Sequence, residues 1–345
     1  MAKTILITGG AGFMGSNFVR RLYQRYPDYR LIVLDALTYA GSVDNLPVDL
    51  NRAPDERLAF WYGDVRNGEL VDTLMSQSDA VVHFAAETHV TRSIFDNRHF
   101  FETDVLGTQV VVNSVLKYID RIERFVHIST SEVYGTAQGE YISEDHPLMA
   151  MSPYASAKVG ADRLVYSYWA TYGVPAIILR PFNNYGPNQH LEKVIPRFIT
   201  SCILGEPLTI HGEGNSARDW VYVEDFCEAV ESALRVDAKT VSGEVINVGT
   251  GKSASVREVA DMILKKMDRP SSFIRNIGDR PGQVILHRSS VDKADRLLHW
   301  KAKVSLEDGL DKTIEWYRNN KSLWQKQIWM RSIPIRTQGG KIEYH

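Results

Sequence analysis

Several features are scarce in this sequence, and each scarcity excludes a class of protein. Only two of the 345 residues are cysteines, and Cys202 and Cys227 have neither a metal-ligand nor a redox spacing, so we expect two buried or free thiols and no metal. The formal net charge is −2, with no run basic enough for a nucleic-acid groove. No apolar stretch is long enough to span a bilayer. Small-molecule chemistry is favoured over polymer or membrane binding.

The first residues of the sequence predict a strand and show neither the apolar region nor the cleavage site of a signal peptide. We therefore expect a cytoplasmic protein. Apolar residues make up 44% of the composition, which is enough for a large core in one large or two unequal domains.

A glycine-rich turn follows the first strand. Gly9, Gly12 and Gly15 separate that strand from an amphipathic helix, and glycine permits the close approach of a pyrophosphate to the helix N-terminus. A second strand ends in Asp35, about twenty residues further on, where a carboxylate can bind the adenosine ribose. Because no arginine directly follows Asp35, the pattern predicts NAD rather than NADP.

Strands and helices alternate through the first half of the chain. Further strands are predicted near residues 58–62, 80–84, 124–129 and 176–179. This order predicts an α/β fold with a Rossmann-type doubly wound parallel sheet, whose carboxyl edge collects ligands. Polar residues after the strands would face that edge. His83, inside a strand, is predicted to lie in the core, and His89 is left out of the catalytic set.

The pattern changes after residue 180. A turn-rich loop is predicted at residues 180–187. Helices are predicted to begin at 194–196 and to span 256–266 and 306–319. Short strands are predicted at 208–210 and 221–223. We interpret residues 1–180 as an NAD-binding Rossmann domain with a return segment near 220–250. Residues 181–330 would form mainly a smaller, discontinuous C-terminal substrate lobe. Residues 331–345 would be a tail that is mobile or packed on a partner.

A tyrosine and a lysine four residues apart stand near the middle of the chain. Tyr154 and Lys158 would share one face of a helix, one turn apart. A phenol, with an ordinary pKa of about 10, acts as a base near neutral pH only where positive charge stabilises the phenolate. Lys158 and an oxidised nicotinamide ring would both supply that charge, so the pair suits a tyrosine base.

With Thr130-Ser131-Glu132, these motifs make the chain resemble the extended short-chain dehydrogenase/reductase family, sugar-nucleotide branch. The resemblance covers nearly the whole chain and is greatest to the dTDP-glucose 4,6-dehydratases. It rests on residues 37–41 (Leu-Thr-Tyr-Ala-Gly), 89–94, 183–187 (Asn-Asn-Tyr-Gly-Pro), 192–196, 218–220 and 280–282.

The resemblance implies a nucleotide-sugar 4,6-dehydratase that works in three steps. Tyr154 would take the proton of the sugar C4 hydroxyl while hydride passes from C4 to NAD, with Thr130 hydrogen-bonded to the same oxygen. Glu132 would remove the C5 proton, which the C4 ketone acidifies, and water would leave from C6. Hydride would return to C6, giving a 4-keto-6-deoxy sugar nucleotide and regenerating NAD, which would stay bound.

Ser131 departs from the Thr-Asp-Glu of the dTDP-glucose enzymes, in which the aspartate protonates the departing C6 hydroxyl. A serine hydroxyl cannot replace that acid near neutral pH, so either Glu132 does both jobs or the reaction differs. Thr-Ser-Glu also occurs in GDP-mannose 4,6-dehydratases and in UDP-glucuronate decarboxylases. Thr91 and residues 283–287 depart from the pattern as well. The alternatives are a UDP-glucuronate decarboxylase, another NAD-dependent epimerase or dehydratase, for example on UDP-N-acetylglucosamine, and a non-catalytic NAD sensor.

The motifs and the resemblance together predict the site residues. The catalytic residues are Thr130, Ser131, Glu132, Tyr154 and Lys158. The NAD-binding residues are Gly9, Gly12, Phe13, Met14, Gly15, Asp35, Asp64, Val65, Phe84, Ala85, Ala86, Thr103, Tyr154, Lys158 and Asn184. The substrate-binding residues are Thr88, Thr130, Asn183, Lys193, Val194, Arg218, Asn247 and Arg280.

The substrate is expected to be a nucleotide-diphosphate sugar, with Arg218 on the phosphate oxygens. Members of the family usually pair through a four-helix bundle built from two long helices of each subunit. The corresponding segments, about 100–117 and 152–172, have apolar positions beyond one core-facing stripe. We therefore expect a homodimer.

Overall fold

The computed structural model describes residues 3–49, 55–278, 282–331, 334–336 and 341–344. The strands are β1 (Thr4–Thr8), β2 (Arg30–Asp35), β3 (Leu58–Tyr62), β4 (Ala80–His83), β5 (Arg124–Ile128), β6 (Ala176–Pro181), β7 (Asn183–Tyr185), β8 (Leu208–His211), β9 (Ala217–Arg218), β10 (Trp220–Tyr222), β11 (Val245–Val248), β12 (Ala254–Ser255), β13 (Ile274–Ile277), β14 (Pro334–Arg336) and β15 (Ile342–Tyr344).

The helices are α1 (Phe13–Arg25), α2 (Gly68–Met75), α3 (Val90–Phe95), α4 (Arg98–Phe100), α5 (Thr108–Lys117), α6 (Pro153–Tyr172), α7 (Val194–Leu204), α8 (Val223–Arg235), α9 (Ala238–Val241), α10 (Val256–Lys266), α11 (Asp292–Leu298), α12 (Leu306–Asn319) and α13 (Lys321–Trp324). A π-helical stretch, Phe101–Gly107, joins α4 to α5, and 3₁₀ turns occupy Val43–Asn45, Ser131–Tyr134, Ser271–Phe273 and Gln325–Arg331.

Seven strands form one sheet in the order β11-β6-β5-β4-β1-β2-β3. Every neighbouring pair in it is parallel. The strand order reverses at β1, so the crevice outside the carboxyl ends of β1 and β4 is the expected ligand site of a doubly wound sheet. The predicted fold class is confirmed.

Apolar side chains alternate between the two faces of the sheet. Ile5 and Ile7 of β1 pack in one buried cluster with Phe18 of α1 and Phe226 of α8, whereas Leu6 lies in the cluster on the opposite face with residues of α5 and α6. Burying each such side chain contributes about 1.5–3 kcal/mol before the entropy of ordering it is counted. Both faces are therefore covered, as a parallel sheet requires.

A separate buried cluster lies in the second half of the chain. It joins α7, α10 and α12 through side chains such as Phe198, Ile263 and Leu310. The short parallel pair β8 and β13 lies at its edge. Among the described residues, this second core contains no strand of the seven-stranded sheet and supports the smaller C-terminal part of the chain.

The prediction of a loop at residues 180–187 is wrong in part. Arg180 belongs to β6, and residues 183–185 form β7, which pairs in parallel with β10. The Arg180 guanidinium makes two hydrogen bonds of 2.9 Å to the Asp162 carboxylate on α6. Pairing of β6 with β5 and β11, and of β7 with β10, keeps this backbone extended. Turn-forming residue types do not reveal such pairing with distant segments.

Other parts of the chain agree with the prediction more closely. His83 is buried, with Nδ1 2.6 Å from Thr8 Oγ1 and Nε2 3.0 Å from Thr108 Oγ1. Cys202 and Cys227 are buried free thiols. The tail over residues 331–345, mobile or packed on a partner, stays a prediction. Within it, β14 and β15 form an antiparallel pair, while residues 332–333, 337–340 and 345 lie outside the described residues. Within the described ranges, no helix combines the length and apolarity needed to cross a membrane.

Candidate active site

A cavity of about 410 Å³ opens at the carboxyl edge of the main sheet. Most of the predicted site residues line it. They are Gly9, Gly12, Phe13, Met14, Gly15, Asp35, Asp64, Val65, Phe84, Ala85, Ala86, Thr88, Thr103, Thr130, Glu132, Tyr154, Lys158, Asn183, Asn184 and Lys193. The fold thus brings the glycine turn and the tyrosine–lysine pair to one site, although they are about 140 residues apart in the sequence.

The glycine turn packs too tightly for a side chain at Gly9 or at Gly15. Gly9 has a φ of +68°, and a Cβ there would lie 2.6 Å from the backbone nitrogen of Ala85. A methyl group on Gly15 would overlap the carbonyl oxygen of Gly9. Helix α1 begins after Gly12 with no side chain capping it. Its first N–H groups therefore face the cavity without a side-chain partner, which is the arrangement that binds a phosphate.

Asp35, at the end of β2, ties this turn to the next loop. Its Oδ2 accepts a 2.9 Å hydrogen bond from the Ala11 N–H, and its Oδ1 accepts one of 2.8 Å from the Leu37 N–H. Burial raises the pKa of the carboxyl, and these N–H groups oppose that rise. A carboxylate offers about four lone-pair sites, so the group can still accept a hydrogen bond from a diol.

Helix α6 presents Tyr154 and Lys158 to the cavity. It begins after Ser152, whose hydroxyl accepts a 3.1 Å hydrogen bond from the Ala155 N–H, and Pro153 occupies its first position. Lys158 Nζ donates a 2.8 Å hydrogen bond to the carbonyl oxygen of Ile128 at the end of β5. Both side chains are buried, so the helix start and the strand end fix their positions together.

Burial governs the proton affinities of this pair. It raises the pKa of Tyr154, the nearby Asp104 carboxyl adds to the rise, and a hydrogen bond with Thr130 opposes it. Burial lowers the pKa of Lys158, whereas Asp104 and Asp162 oppose that change. The phenol therefore needs additional positive charge in the cavity before it can serve as a base.

Thr130 and Glu132 follow β5 at the rim of the same cavity. The Thr130 hydroxyl accepts a 3.2 Å hydrogen bond from the Glu132 N–H and caps the 3₁₀ turn that follows. Glu132 lines the cavity, but Ser131 does not. The Ser131 hydroxyl is buried on the other side of the turn, 3.4 Å from Nδ1 of His287. Alternate residues of this segment therefore face opposite directions.

A polar cluster closes the other end of the cavity. Lys193 Nζ donates a 3.0 Å hydrogen bond to the carbonyl oxygen of Thr88 and lies 3.2 Å from Glu192. Glu192 also accepts a 3.0 Å hydrogen bond from the Tyr39 hydroxyl. Glu192 and His190 line the cavity and were missed in the prediction. Glu192 stands directly before Lys193 in a motif already singled out, so the signal for it was present.

Residues 6–313 match the GDP-mannose 4,6 dehydratase family. The chain belongs to this family. It is 43% identical to the low-salt glycan biosynthesis protein Agl12 of Haloferax volcanii, over 91% of this chain and 98% of that protein. It is 39% identical to a dTDP-glucose 4,6-dehydratase of Streptomyces niveus, over 93% of this chain and 94% of that one. The structure of DesIV, a dTDP-glucose 4,6-dehydratase from Streptomyces venezuelae with NAD and TYD bound, is similar, with a TM-score of 0.88 and 40% identity over 94% and 99% of the two chains.

In this member of the GDP-mannose 4,6 dehydratase family, several predicted residues are not among those that line the cavity. Val194 and Arg218 do not line it, and neither does Ser131. Asn247 is fully buried, where its Oδ1 accepts a 2.8 Å hydrogen bond from the Tyr134 hydroxyl and its Nδ2 donates to Ile142. These two hydrogen bonds hold the Asn247 side chain inside the protein, within strand β11. Arg280 lies outside the described residues.

Proposed function

We propose that this member of the family is an NAD-dependent nucleotide-sugar 4,6-dehydratase, a hydro-lyase acting on a nucleoside diphosphate hexose. The observation that carries the proposal is that Glu132, Thr130 and Tyr154 line one cavity with the glycine turn. Oxidation at C4 alone needs only a base that takes the proton of the C4 hydroxyl. A carboxylate beside that base suits the removal of a carbon-bound proton and the loss of water.

The cavity fits NAD at its glycine end. The uncapped start of α1 would hold the pyrophosphate, and Asp35 would accept the adenosine ribose hydroxyls. Residue 36, directly after Asp35, is alanine, so no cation stands there to favour a 2′-phosphate. When bound, NAD would supply a hydride acceptor and a positive charge next to Tyr154.

Different side chains of this protein would then carry out the different proton transfers. Tyr154 Oη would take the proton of the C4 hydroxyl, and Thr130 would hydrogen-bond the same sugar oxygen. Lys158, fixed on Ile128, would stabilise the tyrosinate. Glu132 would take the C5 proton and return it to the departing C6 oxygen, which removes the need for an acid at position 131.

The substrate would occupy the end of the cavity nearest Lys193 and Thr88. We assign residues 181–330 mainly to the substrate lobe, since Asn183 and Lys193 line the cavity and the second core supports them. Arg218 and Arg280 remain candidates for the diphosphate and nucleotide. The cytoplasmic location stays a prediction.

The protein is proposed to act as a homodimer through the π-helical stretch, α5 and α6. Phe101 and Leu106 on the first segment are 42% and 51% exposed, and Tyr166 and Tyr172 on α6 are 38% and 54% exposed. Large apolar side chains on two adjacent helices are typical of a self-complementary surface.

The test is product analysis by mass spectrometry after separate incubations with dTDP-glucose, UDP-glucose, UDP-N-acetylglucosamine, GDP-mannose and UDP-glucuronate. We expect one hexose nucleotide to lose the mass of water without added reductant or NAD. Loss of CO₂ from UDP-glucuronate alone would contradict the proposal and identify a decarboxylase. Exchange of bound NAD without turnover of any sugar would identify an NAD sensor.

A further inference from the structure

His287 is a fully buried histidine that lies beside Glu132 without lining the cavity. Its Nδ1 is 3.4 Å from the Ser131 hydroxyl oxygen and 3.9 Å from Oε1 of Glu132. The histidine belongs to residues 283–287, the segment that departs from the sequence of the dTDP-glucose enzymes. Two departures, Ser131 and this segment, therefore meet at one place next to the proposed base.

The surroundings of the ring determine which nitrogen carries its hydrogen. Nε2 lies 2.8 Å from the carbonyl oxygen of Gly135. A carbonyl oxygen only accepts, so Nε2 must be the donor, and Nδ1 of the neutral ring presents a lone pair towards Ser131 and Glu132. The backbone holds this position, because the His287 N–H donates a 3.0 Å hydrogen bond to Ala217.

The charges around the ring favour its neutral form. Burial lowers the pKa of His287, the Glu132 carboxylate opposes that change, and the positive charge of Arg218 adds to it. His146 is the other titratable group that acts on the ring. A neutral ring and a carboxylate are both hydrogen-bond acceptors, so Nδ1 and Oε1 have no proton to share in the resting state, in keeping with their 3.9 Å separation.

We propose that His287 is a positioning residue that stabilises Glu132 while Glu132 carries the proton taken from C5. This inference rests on the proposed dehydratase function. Once protonated, the Glu132 carboxyl has an O–H that can donate to Nδ1. The hydrogen bond is available only in that state, and interactions that arise during the reaction are the ones that increase its rate.

The proton balance of this step needs no group outside the site. The C5 proton moves to a Glu132 oxygen, and the electron pair of the C–H bond enters the enolate of the C4 ketone. The C6–O bond then breaks with its electron pair, and the leaving hydroxide takes the proton back from Glu132 to form water. His287 accepts a hydrogen bond in between and remains neutral, so one carboxyl serves as base and acid in turn.

The test compares His287→Gln with the matched variant His287→Asn. Glutamine can keep an N–H near the Nε2 position for Gly135 but places no acceptor at Nδ1, whereas asparagine places its amide near Nδ1 and loses the bond to Gly135. On the substrate found for the native enzyme, we expect H287Q to lower kcat roughly 100-fold, the lower end of what proton-transfer assistance contributes. We expect H287N to remain within roughly tenfold of the native rate.

Two further readouts separate this role from a structural one. H287Q mixed with substrate should accumulate the near-ultraviolet absorbance of reduced nicotinamide, because C4 is oxidised but the C5 proton leaves slowly. A C5-deuterated substrate should show a larger isotope effect on kcat with H287Q than with the native enzyme. Thermal unfolding and the amount of NAD retained on purification check that both variants fold.

Several results would overturn the inference. An H287Q rate and isotope effect equal to the native ones would show that Glu132 does not depend on His287. Equal losses in both variants without accumulation of reduced nicotinamide would indicate a purely structural role. In both cases native turnover would leave the proposed function standing, whereas a native enzyme that removes water from no nucleotide sugar would overturn that function and this inference together.

Discussion

At the scale of single residues, Tyr154 and Glu132 are expected to act on different protons of one substrate. Both line the same cavity, and burial raises the pKa of Tyr154. The phenol therefore depends on the positive charges placed beside it. Replacing Tyr154 and replacing Glu132 should therefore block different steps of the reaction.

We predict that Glu132→Gln and Tyr154→Phe each lower kcat by about 100- to 10,000-fold, the usual contribution of a proton-transfer group. Glu132→Gln should still oxidise C4 and accumulate reduced nicotinamide, because only the later C5 step is lost. Tyr154→Phe should show no such absorbance change, since the C4 proton stays in place. Stopped-flow absorbance with the identified substrate measures both.

The control is Glu140→Gln, because Glu140 is an exposed glutamate that pairs with Arg288 on the surface. It should leave the rate unchanged. A clear reduction signal from Tyr154→Phe, or none from Glu132→Gln, would contradict this division of roles.

At the scale of elements, the β1–α1 turn can accept no side chain at Gly15. Gly15→Ala would push a methyl group into the Gly9 carbonyl oxygen, so either the turn or the start of α1 must move. We predict that G15A purifies with little or no NAD and shows a lowered melting temperature. Cofactor content after denaturation, measured by chromatography, is the readout.

Gly139→Ala is the matched control, since a Cβ at Gly139 meets no atom within 4 Å. It should retain NAD as the native protein does. Full retention of NAD by G15A would refute the assignment of this turn to the pyrophosphate.

A second feature at the scale of helices and strands is the ion pair that joins α6 to β6. Asp162 and Arg180 are both buried. Burial would raise the pKa of Asp162, but the hydrogen bonds and charge of Arg180 outweigh it and hold the pKa below its usual value. A carboxyl with a lowered folded-state pKa stabilises the fold above its unfolded pKa of about 3.9, and this contribution is lost as the pH falls below that value.

We predict that Asp162→Asn lowers the free energy of unfolding by about 3–5 kcal/mol near neutral pH, because it leaves a buried guanidinium without its counterion. The variant should also lose less further stability than the native protein when the pH is lowered through about 4. Urea unfolding across this pH window measures both effects. Asp295→Asn, which removes the exposed pair with Lys301, should change little, and equal losses in the two variants would contradict the prediction.

At the scale of the whole molecule, the apolar side chains on the π-helical stretch and α6 should hold two copies together. We predict that Leu106→Glu combined with Tyr166→Glu converts a dimer into a monomer, because each change places a charge in an apolar interface. Light scattering at micromolar concentration gives the mass. Ile285→Glu, at another exposed apolar residue, should leave the dimer intact, and a native protein that is already monomeric would refute the proposal.

Much of the architecture was predictable because its signals are local. The bounds of α10 and α12 match the predicted ranges 256–266 and 306–319, since apolar spacing and the capping serines at 255 and 305 define those helices. The order of strands and helices predicted the parallel sheet. The predicted helix over 100–117 is present, but nothing in its spacing indicated that residues 101–107 would be π-helical.

Most of the cavity was predictable for a similar reason. Parallel strands place their carboxyl ends on one edge, so the residues that follow β1, β4 and β5 had to converge. The predicted site residues that do not line the cavity are those whose surroundings come from distant segments. Asn247 is occupied by Tyr134 and Ile142, and Ser131 faces away from the cavity.

The amino-acid sequence by itself determined the fold class, the dinucleotide turn and the set of side chains able to transfer protons, because each of these depends on spacing along the chain. Only the tertiary structure decided which of those side chains share the cavity and which contact each other behind it. His287 and Ser131 are separated by more than 150 residues and contact each other only because the segment after residue 282 packs against the turn that follows β5. Contacts of this kind depend on packing between elements, which local periodicity does not encode.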